Sequence, residues 1–129
     1  MNGKYLLDTN IVVALFADEQ MVIDRATTVE NVLIPSIVIG ELYYGAQKSS
    51  RVQRKIARID NLVKTRAIVP CDVETARYYG EIKSDLKKKG RPIPDNDIWI
   101  AALTHQHRCI LVTRDKHFSE VDLIQTVSW

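Results

Sequence analysis

Four acidic side chains stand in contexts that direct each of them toward apolar structure: Asp8, Glu41, Asp97 and Asp115. Asp8 closes the apolar run Tyr5, Leu6, Leu7, and Asp115 follows Ile110 to Thr113, so both emerge at the carboxyl ends of short strands. Glu41 has Ile37, Val38 and Leu42 as its helical neighbours, which puts its carboxylate on or beside a core-facing stripe. Asp97 leads into Ile98, Trp99, Ile100, Ala101 and Ala102, again a carboxylate feeding an apolar face. Carboxylates that meet repel one another, and without a cation at least one takes up a proton. A hard divalent ion removes that conflict, and oxygen donors without His or Cys at matching spacing favour Mg²⁺ or Mn²⁺ over Zn²⁺. An ion held in this way lowers the pKa of water and neutralises a phosphate, so hydrolysis of a phosphodiester is within reach. In that chemistry Asp8, Asp97 and Asp115 are ligands, Glu41 is a ligand or the proton acceptor, and an activated water attacks phosphorus in line.

Each residue also has a purely structural reading. Asp8 would cap the helix after it, Asp115 would be a turn residue, and Asp97 shares its capping claim with Asp95 and Asn96. Glu41 would need a basic partner, and its helix offers no Arg within one turn. The argument therefore rests on the set of four. Asn10 and Thr113 flank the two strand-end acids, where they would steer a carboxylate or a water, or serve the turns alone.

Alternating short strands and helices must position these groups. Strands are expected at Tyr5 to Leu7, Asn31 to Ile34, Ala67 to Val69, Cys109 to Thr113 and Leu123 to Val127. Helices are expected over Ile11 to Phe16, Glu19 to Val29, Ser36 to Lys48, a stretch capped by Ser50, Asp72 to Lys89 and Asp97 to His107, with a short helical segment after Asp115. The Ser50-capped helix carries Val52, Ile56, Ile59 and Val63 opposite a basic face of Arg51, Arg54, Lys55 and Arg58. Gly90 to Asn96, with two prolines and a glycine, is a loop. Such alternation means a parallel sheet between helix layers, an α/β fold, with ligands bound at the carboxyl ends of its strands.

The composition bounds the rest. A chain of 129 residues with 46% hydrophobic and 26% charged residues is expected to form one domain, 1–129, with one core. Its apolar runs fall far short of the roughly 20 residues that cross a bilayer, and Asp8 interrupts any signal-peptide core. The protein is thus expected in the cytoplasm, where Cys71 and Cys109 stay free thiols. A net charge of +2 does not announce a nucleic-acid binder, so phosphate contacts must come from position. Arg114 and Lys116, beside Asp115, have the best positional claim, and Arg91 in the loop before Asp97 comes next. The face Arg51 to Arg58 and the run Lys87 to Lys89 read first as solvated surface, and His105, His107 and His117 as surface or capping groups.

Four segments in order resemble the PIN-domain family, and within it the VapC toxins of toxin–antitoxin pairs. They are Leu6 to Asn10; Gly40, Glu41, Leu42 with Gly45; Pro94 to Ile98 with Ile100, Ala101, Ala102; and Leu111 to Asp115 with Phe118. The resemblance implies a three-layer α/β/α PIN-like fold around a central parallel sheet. It implies Asp8, Glu41, Asp97 and Asp115 as an acidic quartet around Mg²⁺ or Mn²⁺, and RNA as the substrate, cleaved to a 5′-phosphate. Asp95 is an extra acid beside the matching Asp97. The resemblance also implies a homodimer, for which Tyr43, Tyr44, Tyr78 and Tyr79 are available, and a small antitoxin. An electronegative crevice invites an Arg or Lys from such a partner, placed among the four acids.

Four other readings compete. A phosphorelay receiver needs adjacent acids after its first strand, where Thr9 follows Asp8, and an acceptor after its third, where Asp72 reads as a helix cap. A haloacid-dehalogenase-like phosphatase needs an Asp where Asn10 stands. A housekeeping PIN nuclease without an antitoxin, or a non-catalytic PIN-like module, shares the fold. Metal titration with an RNA substrate separates cleavage, phosphoryl acceptance and neither.

Overall fold

The computed structural model describes residues 3–129. Five strands form one sheet: β1 (Lys4–Leu7), β2 (Asn31–Pro35), β3 (Ala67–Val69), β4 (Ile110–Val112) and β5 (Gln125–Val127). Their order is β3-β2-β1-β4-β5 and every pairing is parallel. Parallel neighbours require crossovers, and helices supply most of them: α1 (Thr9–Phe16), α2 (Gln20–Thr28), α3 (Ser36–Gln47), α4 (Val52–Thr65), α5 (Val73–Lys88) and α6 (Asp95–Gln106). A 3-10 turn, Lys116–Glu120, lies between β4 and β5.

The chain leaves β1 toward β2 on one side and returns by β4 on the other, so the strand order reverses at β1. That reversal opens a crevice at the carboxyl ends of β1 and β4. Register fixes what faces it: Leu7 pairs with Val112, which puts Asp8 and Thr113 side by side just past the sheet. The inner strands are buried on both faces, with Leu6, Leu7, Ile34, Leu111 and Val112 all but inaccessible. A fully buried aliphatic side chain of this kind contributes about 2 kcal/mol. Helix α6 buries Ile98, Ile100, Ala101, Ala102, Leu103 and Thr104, so it has almost no polar face and runs inside the molecule.

Most element boundaries fall within two residues of the sequence expectation, and β3 falls on it. Asp72 forms a capping box with Thr75 at the start of α5. Gly90, with φ +66, ends that helix in the left-handed conformation glycine tolerates best. Three expectations differ. Helix α6 starts at Asp95, because Pro94 can open a helix without donating an N–H, and Asp97 therefore lies inside the first turn. Neither Ser36 nor Ser50 caps: the N-cap positions fall on Pro35 and Arg51, and no side chain bonds there. Ser49 instead accepts the Arg51 N–H at 3.3 Å. Among the described residues no helix is long and apolar enough to cross a membrane.

Candidate active site

Asp8 is the fixed point of the site. Its residue exposure is 3%, an uncommon position for a carboxylate, and three donors hold it there. The Thr9 N–H donates to Oδ1 at 2.8 Å, which makes Asp8 the N-cap of α1. Thr113 Oγ1 donates to Oδ2 at 2.7 Å, and Asn10 Nδ2 reaches the same oxygen at 3.3 Å. The two helpers are themselves tied to the β4 loop: Asn10 Oδ1 accepts the Arg114 N–H at 3.2 Å, and Thr113 Oγ1 accepts the Asp115 N–H at 3.0 Å. Capping and site readings of Asp8 thus describe one arrangement.

Asp97 arrives from the first turn of α6, and Asp115 from the residue before the 3-10 turn. Ligand atoms of Asp97, Asp115 and His117 all lie within 4.8 Å of one another. His117 Nε2 stands 2.7 Å from Asp97 Oδ2. Periodicity does not reveal this contact, since His117 and Asp97 meet only because β4 runs back beside α6. The one available signal was that His117 lies two residues from Asp115 and next to Phe118, whose full burial pins the turn.

Glu41 approaches from α3. Its Oε1 and the nearby Thr9 Oγ1 are both shielded from solvent and both lack a hydrogen-bond partner of good geometry. Electrostatics express the crowding. Burial, chiefly, pushes Asp8, Glu41 and Asp97 above the usual carboxylate range. Neighbouring acids add to it: Asp115 acts on all three, and Asp8 and Asp97 both act on Glu41. Contacts of Thr113 with Asp8, Thr9 with Glu41 and His117 with Asp97 oppose the rise in part. Three carboxylates raised together, with a shielded oxygen still lacking a partner, form a donor set that a divalent cation fits.

The remaining sequence candidates lie outside this cluster. Asp95 points to the far side of the α6 start, where Lys83 Nζ at 3.0 Å and Tyr79 OH at 3.0 Å engage its Oδ1. These contacts hold the Asp95 carboxyl below its ordinary range, Lys83 contributing most. The Arg114 guanidinium is engaged by Glu19, at 2.8 and 3.3 Å, and by the Trp129 carbonyl at 3.2 Å. Arg91 lies 3.9 Å from Glu120. Lys116 is exposed beside Asp115 and makes no ion pair among the described residues. Tyr79 stacks on Trp99 with centroids 4.1 Å apart, and Tyr44 is largely exposed under Lys48.

From Thr9 and Glu41 a groove of about 420 Å³ runs between α1, α3 and α4. Val13, Phe16, Leu42 and Ile59 form its apolar wall, and Lys55 and Arg58 its basic rim. Arg58 stacks over the Phe16 ring at 4.6 Å.

A five-stranded parallel sheet that gathers acids from β1, α3, α6 and β4 at its carboxyl edge matches the PIN-domain model over residues 5–124. The chain is 35% identical to the ribonuclease VapC2 of Haemophilus influenzae, with 98% of each chain covered. It is 29% identical to the tRNA(fMet)-specific endonuclease VapC of Shigella flexneri, again over 98% of both. Among solved structures, a chain of the VapBC2 complex of Rickettsia felis, bound to a promoter DNA fragment, superposes with a TM-score of 0.91. That chain shares 29% identity, and the match covers 97% of this chain and 98% of the other. The protein belongs to the PIN-domain family, in its VapC branch.

Proposed function

We propose that the protein is a metal-dependent endoribonuclease and the toxin of a VapBC-like pair, acting on RNA phosphodiester bonds in the cytoplasm. The observation that carries this reading is the convergence of Asp8, Glu41, Asp97 and Asp115 at one sheet edge, in a chain 35% identical to a VapC ribonuclease end to end. Asp97 and Asp115, with Asp8 behind them, would hold Mg²⁺ or Mn²⁺. When bound, the ion supplies Lewis-acid charge for a scissile phosphate and eases the deprotonation of water.

The chain's own groups supply the rest. Asp8, fixed by Thr113, Asn10 and the Thr9 N–H, gives the cluster a carboxylate that cannot swing away. Glu41 has a raised pKa and a shielded oxygen without a hydrogen bond of good geometry, which suits a proton acceptor. Lys116, exposed beside Asp115, would contact a flanking phosphate. No 2′-hydroxyl is needed for this hydrolysis, so preference for RNA is a matter of binding shape.

Restraint of such a nuclease falls to an antitoxin, as the VapBC complexes among the structural relatives imply. The groove beside Glu41 fits its tail, and an Arg or Lys at the tail's end would sit among the acids in competition with the metal. A homodimer is the expected assembly. The test is cleavage of RNA by the purified chain: EDTA abolishes it, Mg²⁺ or Mn²⁺ restores it, and Asp8→Asn abolishes it in either ion. Full cleavage in EDTA rejects the metal reading, and no cleavage of any RNA rejects the nuclease.

A further inference from the structure

His117 Nε2 and Asp97 Oδ2 lie 2.7 Å apart, a separation at which two lone pairs repel. A proton, from the ring or from the Asp97 carboxyl, or a cation must stand between or beside them. Both groups are only partly exposed, and the nearest oxygen of Asp115 completes a trio whose ligand atoms fall within 4.8 Å. The imidazole is not a free surface ring. Its backbone belongs to the 3-10 turn anchored by the fully buried Phe118, and the two rings lie 4.9 Å apart at a tilt of 40°.

We propose that His117 is a nitrogen ligand of the divalent ion, alongside Asp97 and Asp115, and that it tilts the site from Mg²⁺ toward Mn²⁺ or another first-row ion. The inference rests on the metal-dependent reading above and corrects the oxygen-only donor set expected from sequence. With its proton on Nδ1, the ring presents the Nε2 lone pair to an ion. Imidazole suits first-row transition ions, whereas Mg²⁺ prefers oxygen and gains less from a nitrogen donor. The alternative is that Nε2–H only orients Asp97. Glutamine separates the two, because its amide N–H can still donate to Asp97 while its nitrogen has no lone pair for a metal.

The test uses the full chain with Mn²⁺ and Mg²⁺, read as binding by calorimetry and as nitrogen hyperfine coupling by pulsed EPR of the Mn²⁺ protein. Wild type shows imidazole coupling; His117→Gln loses it, with Mn²⁺ affinity down about tenfold and Mg²⁺ affinity changed far less. Absence of coupling in the wild type, its survival in His117→Gln, or equal loss of both ions overturns the assignment. Since the coupling is read on wild type as well, a variant that fails to fold leaves the proposal falsifiable. Metal bound without nitrogen coupling defeats this inference alone, whereas no metal bound at all defeats the metal-dependent reading with it.

Discussion

Thr113 Oγ1 and Asp8 Oδ2 meet at 2.7 Å across the β1–β4 pair, although 105 positions separate them in sequence. The same hydroxyl oxygen accepts the Asp115 N–H, so one side chain sets the spacing between two acids from two strands. Thr113→Val keeps the shape and removes both bonds. It should cost about 1 kcal/mol of stability and lower cleavage at least about tenfold, with Thr113→Ser retaining most of the activity. Urea unfolding and initial rates on one RNA check this; a Val variant with the wild-type rate refutes the role.

The cluster predicts graded effects among the acids. Asp8→Asn, Glu41→Gln, Asp97→Asn and Asp115→Asn should each reduce cleavage about a hundredfold or more while the chain stays folded by circular dichroism. Asp95→Asn should leave the rate within about threefold, since its carboxylate is bound to Lys83 and Tyr79 away from the crevice. If Asp95→Asn proves the more damaging of the two α6 changes, the assignment of Asp97 is wrong.

Local pattern carried the sequence reading as far as local pattern reaches. Period and turn chemistry suffice for β3, for the Asp72 cap and for the strand ends that deliver Asp8 and Asp115. Capping was less legible: Ser50 has the right side chain, yet the preceding Ser49 makes the bond to Arg51, a one-residue shift that propensity cannot resolve. The start of α6 separates Asp95, engaged by Lys83, from Asp97, beside His117, a divergence that the sequence alone does not show. His117 and the Arg114–Glu19 pair are tertiary contacts made by chain segments far apart, so no window of sequence contains them.

Glu41 should trade stability for function. Its folded pKa is raised, so the folded state holds a proton that the unfolded state, near 4.5, has already released. Stability therefore falls as pH rises from about that ordinary value through the raised one. Glu41→Gln should raise the Tm of EDTA-treated protein more at pH 7 than at pH 4.5. Scanning calorimetry at the two pH values reads it. A variant less stable than wild type at pH 7 would mean that the Glu41 carboxylate has a partner that compensates its burial.

The two basic residues flanking Asp115 should behave differently. Arg114 is committed to Glu19 and to the Trp129 carbonyl, whereas Lys116 is exposed without an ion pair among the described residues. Lys116→Ala should weaken RNA binding and reduce the slope of log K against log salt by about 0.7 to 1. Arg114→Ala should leave that slope unchanged and lower the Tm by about 2 to 4 °C. Equal loss of slope in both variants would show that Arg114 leaves Glu19 to bind phosphate.

The groove beside Glu41 sets the terms for an inhibitor. Val13 stands on its wall with 52% exposure, so a charge there does not disturb the core. A partner tail that fits would place apolar side chains against Val13, Phe16, Leu42 and Ile59, an acidic one toward Lys55 and Arg58, and a basic one at Glu41. Val13→Asp puts a buried, unpaired charge into that contact, which costs several kcal/mol on binding, of order a hundredfold or more in Kd. The variant should therefore cleave RNA at close to the wild-type rate and escape neutralisation by the antitoxin proposed above. Adding Mg²⁺ or Mn²⁺ should weaken the wild-type complex, because the partner's basic group and the metal seek the same carboxylates. Titration of wild type and variant with the proposed antitoxin, with residual cleavage as the readout, decides it. Full inhibition of Val13→Asp at the wild-type dose would place the restraining contact elsewhere on the molecule.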